Sequence, residues 1–336
     1  AGIPAVVTQG GWKELGRHTL SSAGDYLEVS GIADKKYYMI IWNTPDGTAS
    51  WCQPALRLGI GSVDTGTNYG ERYYRDGVFG AGHMNTYNGL WSNAPSPNKS
   101  CFGVSYISNE SDREKLIMNS SVDQTNPPSR LQSAGKWTDV SAPIDLVRLE
   151  HQATGNGFNT DSECVILGWD PADTHTSNFW EELASVDLSG GAATNIDSGT
   201  ISAKKYLWIQ YYTEQSTDSD FLITFNADTG SNYARRYAND GGTETTGTGL
   251  ANFTQVSRTA NLPQFTNMFI VNNSANEKLI IAHTVYQNTA GAGSVPNRWE
   301  AVGKWANTSA QITAMNIKSG SGNLATNTVL KIWGSD

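Results

Sequence analysis

Two acidic triplets stand out for the chemistry they could perform: Asp64-Thr-Gly66 and Asp228-Thr-Gly230, 164 residues apart. Two carboxylates brought to one place can share a proton, one staying ionised while the other stays protonated, and together activate a water molecule. That chemistry needs both aspartates to face a common cleft, each on a turn held by an apolar strand. The residues around each triplet therefore decide whether it is half of a catalytic site or a turn that a duplicated domain needs twice.

The likeness between the two sites extends well past the triplet. Residues 64–77 read DTGTNYGERYYRDG and residues 228–241 read DTGSNYARRYANDG. The triplets, together with Ile166-Leu-Gly168, resemble the signatures of pepsin-like aspartic proteases, which are also two-lobed and β-rich; that alternative has Asp64 and Asp228 as its dyad. The polar Asn-Tyr-x-x-Arg-Tyr that follows in both copies argues against it, because a buried dyad is flanked by apolar strands. Asp64 and Asp76 with their copies offer oxygens for calcium, but no complete loop of six to eight ligands. The favoured reading is structural. Asp64, Gly66 and Asn68, with Asp228, Gly230 and Asn232, form a turn. Tyr69, Arg72 and Tyr73, with Tyr233, Arg236 and Tyr237, lie on the next strand and lock neighbouring loops, and Asp76-Gly77 and Asp240-Gly241 close it with a second turn. No catalytic residue, cofactor or metal site is expected on this reading.

These phrases belong to a longer internal repeat. Trp12-Lys-Glu-Leu15 matches Trp180-Glu-Glu-Leu183, Lys35-Lys-Tyr37 matches Lys204-Lys-Tyr206, Glu114-Lys-Leu-Ile117 matches Glu277-Lys-Leu-Ile280, and Gly135-Lys-Trp137 matches Gly303-Lys-Trp305. The offset stays between 163 and 169 residues throughout. The chain thus divides into an apolar N-terminal arm (1–11), a first domain (12–170), a linker (171–179) and a second domain (180–336). Within each domain the apolar segments are short and bounded by turn residues. Phe221, Ile223 and Phe225 alternate as one face of a strand. The expected fold is all-β: two tandem homologous β-sandwich domains, each a jelly roll.

Composition agrees. Charged residues make up only 16% of the chain, and the 14 Tyr and 11 Trp suit sheets better than long helices. With net charge -9 and no dense Lys/Arg patch, direct nucleic-acid binding is not expected. No apolar run approaches the roughly 20 residues of a membrane-spanning helix. Cys52, Cys101 and Cys164 are odd in number and lack metal-ligand spacing, so ordinary thiols are expected rather than a disulfide framework. The five histidines form no close cluster. Residues 79–100 have no counterpart in the second copy and read as a long loop, in which His83, Tyr87 and Trp91 are candidate partner-binding residues for a protein or a surface glycan.

The phrases TLSSAGDYLEVSG (19–31), KKYYMII (35–41), KKYLWIQYY (204–212) and FNADTGSNYARRYANDGG (225–242) resemble a family of virion structural proteins of tailed bacteriophages, especially marine and cyanobacterial phages. The resemblance implies a non-enzymatic head-decoration, fibre or tail-associated module at the outer surface of a virion. Its expected partners are further copies of itself and other virion proteins, with residues 1–11 as an attachment element. A double-jelly-roll major capsid protein and a free glycan-binding module are the non-catalytic alternatives.

Overall fold

A computed structural model of the chain describes residues 11–45, 53–90, 99–152, 157–174, 177–256, 260–287, 289 and 291–336, apart from the side chains of His83 and Met84. The described residues form strands and turns and no helix, so the fold is all-β. Two compact units result: residues 1–123 with 130–180, and residues 124–129 with 181–336. Residues 171–173, at the start of the segment read from the sequence as linker, are tied to the first unit through Asp170 and Asp173. The Asp170 carboxylate accepts the Lys36 N–H at 2.9 Å, and Lys35 forms an ion pair with Asp173.

Each unit is a sandwich of a larger and a smaller sheet. In the first, the eight strands of the larger sheet run, in spatial order, Lys13–Thr19, Glu163–Trp169, Tyr37–Thr44, Cys101–Ser108, Lys115–Asp123, Arg130–Trp137, Tyr69–Arg75 and Val78–Asn85. The smaller sheet runs Tyr26–Ser30, Leu146–His151, Pro54–Ile60 and Ser62–Val63, with Asn88–Gly89 added beside Pro54–Ile60. In the second unit the larger sheet runs Glu181–Asp187, Val329–Ser335, Tyr206–Thr213, Gln264–Val271, Lys278–Tyr286, Asn297–Trp305, Tyr233–Asn239 and Thr245–Leu250. Its smaller sheet runs Asn195–Asp197, Met315–Ser319, Phe221–Phe225 and Phe253–Gln255. First and last strands pair in each unit. The repeat reaches the irregularities too. The first strand of each unit carries a bulge, at Glu14/Gly16 and at Glu182/Ala184, as does the motif strand, at Tyr69/Glu71 and at Tyr233/Arg235.

The core lies between the two sheets of each unit. Leu27, Ile40, Trp42, Leu56, Trp137 and Ile166 are buried in the first. Phe221, Ile223 and Phe225 are fully buried together in the second, the face that their alternation predicts. Trp137 and Trp305 are both 1% exposed and anchor their cores.

Two expectations are corrected. Cys101 is disulfide-bonded, whereas Cys164 is a free, buried thiol. An odd cysteine count excludes complete pairing but leaves room for one bridge. Burial pushes the Cys164 thiol up, so it behaves as a small hydrophobe. Cys52 lies outside the described residues. Nor is 79–100 one long loop: Val78–Asn85 is an edge strand, and Asn88–Gly89 adds to the smaller sheet. Leu90 is buried in the core, and its carbonyl accepts the Ser121 hydroxyl at 2.7 Å. Leu90, fully buried, anchors the segment in the core despite its many Gly and Asn, while Phe79 stays exposed on the edge strand.

Candidate functional site

The duplicated phrase builds the same device in both units. After the small-sheet strand Pro54–Ile60 and the short strand Ser62–Val63, the chain turns at Asp64 into the large-sheet strand Tyr69–Arg75. The Asp64 Oδ1 accepts the Gly66 N–H at 2.7 Å, and Oδ2 accepts the Asn68 amide at 2.8 Å. Oδ2 also accepts the indole Nε1–H of Trp137 at 2.6 Å. The Thr138 N–H, one residue further on, donates to the Asn68 carbonyl at 3.0 Å. The turn is thereby bolted to the neighbouring strand Arg130–Trp137.

In the second unit the Gly230 N–H donates to Asp228 Oδ1 at 2.9 Å, Asn232 donates to Oδ2 at 2.8 Å, and the Trp305 indole donates to Oδ2 at 2.7 Å. Ala306 N–H donates to the Asn232 carbonyl at 2.8 Å. The glycine of the triplet is needed for space. A Cβ at Gly66 or Gly230 would stand 2.9 Å from the Asn68 or Asn232 amide and 3.1 Å from the aspartate oxygen.

Partial burial by itself would raise both aspartates. The hydrogen bonds from tryptophan, asparagine and glycine outweigh it and hold each carboxyl below the ordinary value. Two carboxylates that are each fixed in the ionised form within their own unit are the reverse of a proton-sharing pair. What they do here is hold a loop closed around an indole N–H that burial would otherwise leave without a partner.

Tyr69 and Tyr233 carry the clamp across the sandwich. The Leu58 N–H donates to the Tyr69 hydroxyl at 2.8 Å, and the Phe225 N–H to that of Tyr233 at 3.0 Å. The Tyr233 hydroxyl donates on to the Asp228 carbonyl at 3.0 Å. Each tyrosine stands in register with its tryptophan on the adjacent strand. Burial pushes the Tyr233 hydroxyl up to about 12 and raises that of Tyr69 as well.

The second turn is also duplicated. Asp76 and Gly77 both have positive φ, 47° and 85°, as a two-residue hairpin turn of the primed type requires. Asp240 and Gly241 repeat the positive angles at 52° and 70°, within a longer link between the strands that end at Asn239 and begin at Thr245. The Asp76 carboxylate accepts the Arg130 N–H at 2.8 Å, and that of Asp240 accepts the Arg298 N–H at 2.8 Å. The remaining residues diverge. The Arg75 guanidinium lies 4.8 Å from the Tyr73 ring, and Arg235 lies 4.8 Å from Tyr237. Arg72 is exposed over Phe79, whereas Arg236 pairs with Glu244 at 3.0 Å, so the two retained arginines have no common task.

Of the candidate contact residues, Tyr87 is half-buried, and desolvation raises its hydroxyl. Trp91 and the His83 side chain lie outside the described residues, as do arm residues 1–10. Two features escaped sequence reasoning. One is the Asp–Trp bond itself. The other is a buried lysine beside each tryptophan: Lys115 Nζ donates to the Arg113 carbonyl at 2.9 Å, and Lys278 Nζ donates to the Asn276 and Asn307 carbonyls at 2.8 Å each. The signal was present in the Lys-Leu-Ile and Gly-Lys-Trp phrases, retained together with Asp-Thr-Gly. Among the described residues, no group of three or more His, Cys, Asp or Glu is placed to hold a metal.

Strand pairing and the duplicated clamp define the class: a tandem β-sandwich protein built from two copies of one domain. No family model matches the chain, and no curated protein does. Among solved structures, it is similar to the LG4–5 domain pair of the mouse laminin α1 chain, at 12% identity and a TM-score of 0.22, over 99% of this chain and 92% of that one. It is also similar to the attachment invasion locus protein Ail of Yersinia pestis, at 6% identity and a TM-score of 0.11, over 81% of this chain and 99% of that one. At these scores the likenesses add nothing to the strand pairing itself.

Proposed function

We propose that the chain is a non-enzymatic structural module of a virion, attached at its outer surface, where it stabilises the particle or contacts the host. The observation that carries this reading is the commitment of Asp64 and Asp228 to identical internal clamps, each to its own tryptophan. The residues with the best claim to chemistry thereby serve rigidity. The phage-like phrases around them supply the setting, and the Cys101 disulfide suits a protein that works outside a reducing cytoplasm. Particle symmetry multiplies weak contacts, so a rigid module needs no deep pocket to attach firmly. Decoration at the surface is preferred to a major-capsid role.

Cryo-electron microscopy of native particles, paired with mass spectrometry of the same purified fraction, tests the proposal. Density for two tandem sandwiches at the head or tail surface is the expected result. A chain absent from purified particles would overturn it.

A further inference from the structure

The two copies differ most informatively on the outer face of the smaller sheet. The Tyr–main-chain bonds align Leu58 with Phe225, so Arg57 corresponds to Thr224. Strand register then sets Arg148 against Asn316 and Glu28 against Asp197, since Arg57 and Glu28 both stand opposite Arg148, as Thr224 and Asp197 stand opposite Asn316. Glu150 corresponds likewise to Lys318.

In the first unit, long paired side chains fill this face. Arg148 meets Glu28 at 2.6 Å, Arg57 meets Glu150 at 3.0 Å, and the Arg148 guanidinium lies 4.5 Å from the Tyr26 ring. In the second unit, the shorter Thr224, Asn316 and Asp197 stand in place of Arg57, Arg148 and Glu28, and the face holds a cleft of about 640 Å³, with Lys318 in its lining. That size lies within the range of small-ligand sites, about 300–1,000 Å³.

The cleft is firmly built. At its margin, Asn226 and Ala227 hold positive φ angles of 51° and 56°; asparagine tolerates this region, but alanine adopts it only when its surroundings enforce it. The enforcing contacts are on hand. Asn226 Oδ1 accepts the Thr313 N–H at 2.8 Å and the Ala314 N–H at 3.0 Å, while its amide donates to the Gln311 carbonyl at 2.7 Å. In the first unit the corresponding link, Gly59–Val63, folds back as a small strand pair instead.

We infer that this cleft of the second unit binds a neutral oligosaccharide. Its lining offers hydroxyls and amides from Thr200, Thr224, Asn252 and Asn316, beside the accessible apolar side chains of Leu222, Ala227 and Ala251. That mixture matches a sugar ring, with hydroxyls at its edge and C–H groups on its faces. Asn316 donates to Asp197 Oδ2 at 3.0 Å, which presents an oriented amide–carboxylate pair to a ligand hydroxyl. One lysine, Lys318, and one aspartate, Asp197, balance in charge, so no excess positive charge selects a phosphate or sulfate. No aromatic ring lines the cleft for a nucleobase to stack on. The inference stands apart from the particle role: a chain that sits on particles but is blind to sugars overturns this claim alone.

The test is to apply the full chain to an array of neutral and acidic oligosaccharides and to titrate the best neutral sugar by calorimetry. Retention of a neutral sugar is expected, together with at least a tenfold loss of affinity in Thr224→Arg, which refills the cleft as the first unit does. Asn316→Ala, a milder change, should lose affinity in the same direction with an unchanged near-UV circular dichroism spectrum. Arg148→Gln, at the matching position of the first unit, should bind within twofold of the parent. Failure to retain any neutral sugar, undiminished binding by both cleft variants, or an equal loss in Arg148→Gln would overturn the inference.

Discussion

The Trp137 indole Nε1–H donates to the Asp64 carboxylate at 2.6 Å, joining residues 73 apart in the sequence. Trp305 and Asp228 repeat the bond at 2.7 Å across 77 residues. Hydrogen bonds to a charged acceptor contribute about 1.5–3 kcal/mol. With some allowance for the solvent-facing side of each turn, Asp64→Asn and Asp228→Asn should each destabilise the protein by about 1–2 kcal/mol. Urea unfolding followed by tryptophan fluorescence measures the loss, and unchanged midpoints for both variants would contradict the clamp.

Acid should release the same bonds. Both carboxyls are held below their unfolded value, so the folded state favours the ionised form. The resulting stabilisation is complete above the unfolded carboxylate pKa, near 3.9, and disappears as pH falls through the lower folded value. Between pH 5 and pH 3 the parent should therefore lose more stability than the Asp64→Asn/Asp228→Asn double variant. Parallel pH profiles would contradict this.

Much of this plan is legible in the sequence. The repeat offsets place both sandwiches, and the alternation of Phe221, Ile223 and Phe225 marks a buried face. The Asp–Trp bond is not legible, because it joins positions that only strand pairing brings together. Tyr69 and Trp137 become neighbours when their two strands adopt register, and no local pattern announces that pairing. The cleft escapes for a related reason. Thr224 and Asn316 are unremarkable until the matching Arg57 and Arg148 are seen to fill the same place in the other copy. Segment 79–100 misleads because Gly and Asn suggest a loop even where a strand edge and the buried Leu90 fix the chain.

Lys278 gives a second pH dependence, of the same sign but in the alkaline range. It is fully buried, with its amine against loop carbonyls and 5.7 Å from the Trp305 ring, and desolvation pulls it down to about 8. The unfolded chain keeps that proton to about pH 10.4. Between about pH 8 and pH 10 the unfolded state binds more protons, so this group makes stability rise with pH. The stability of the parent relative to Lys278→Met should therefore rise from pH 7.5 to pH 9.5. A constant difference would count against the burial of a charged amine.

The hairpin turn offers a backbone test. Gly77 has φ of 85°, where a Cβ is strained. Gly77→Ala should cost about 1 kcal/mol, and Gly77→Asn less, because asparagine tolerates the left-handed region. Thermal unfolding of the two variants gives the order directly, and equal midpoints would contradict it.

Cys101 should resist alkylation in denaturant until a reductant is added, while Cys164 should react in denaturant alone. Peptide mapping after sequential labelling separates the two, and early labelling of Cys101 would contradict the bridge.

The central claim is that each duplicated aspartate exists to hold its own tryptophan. A double-mutant cycle measures that most directly, with Asp64→Asn and Trp137→Phe in one unit and Asp228→Asn and Trp305→Phe in the other. The account predicts a coupling free energy of about 1–2 kcal/mol in both units, with neither pair coupled to the other. Zero coupling in both, together with a peptidase activity abolished by either aspartate substitution, would contradict it.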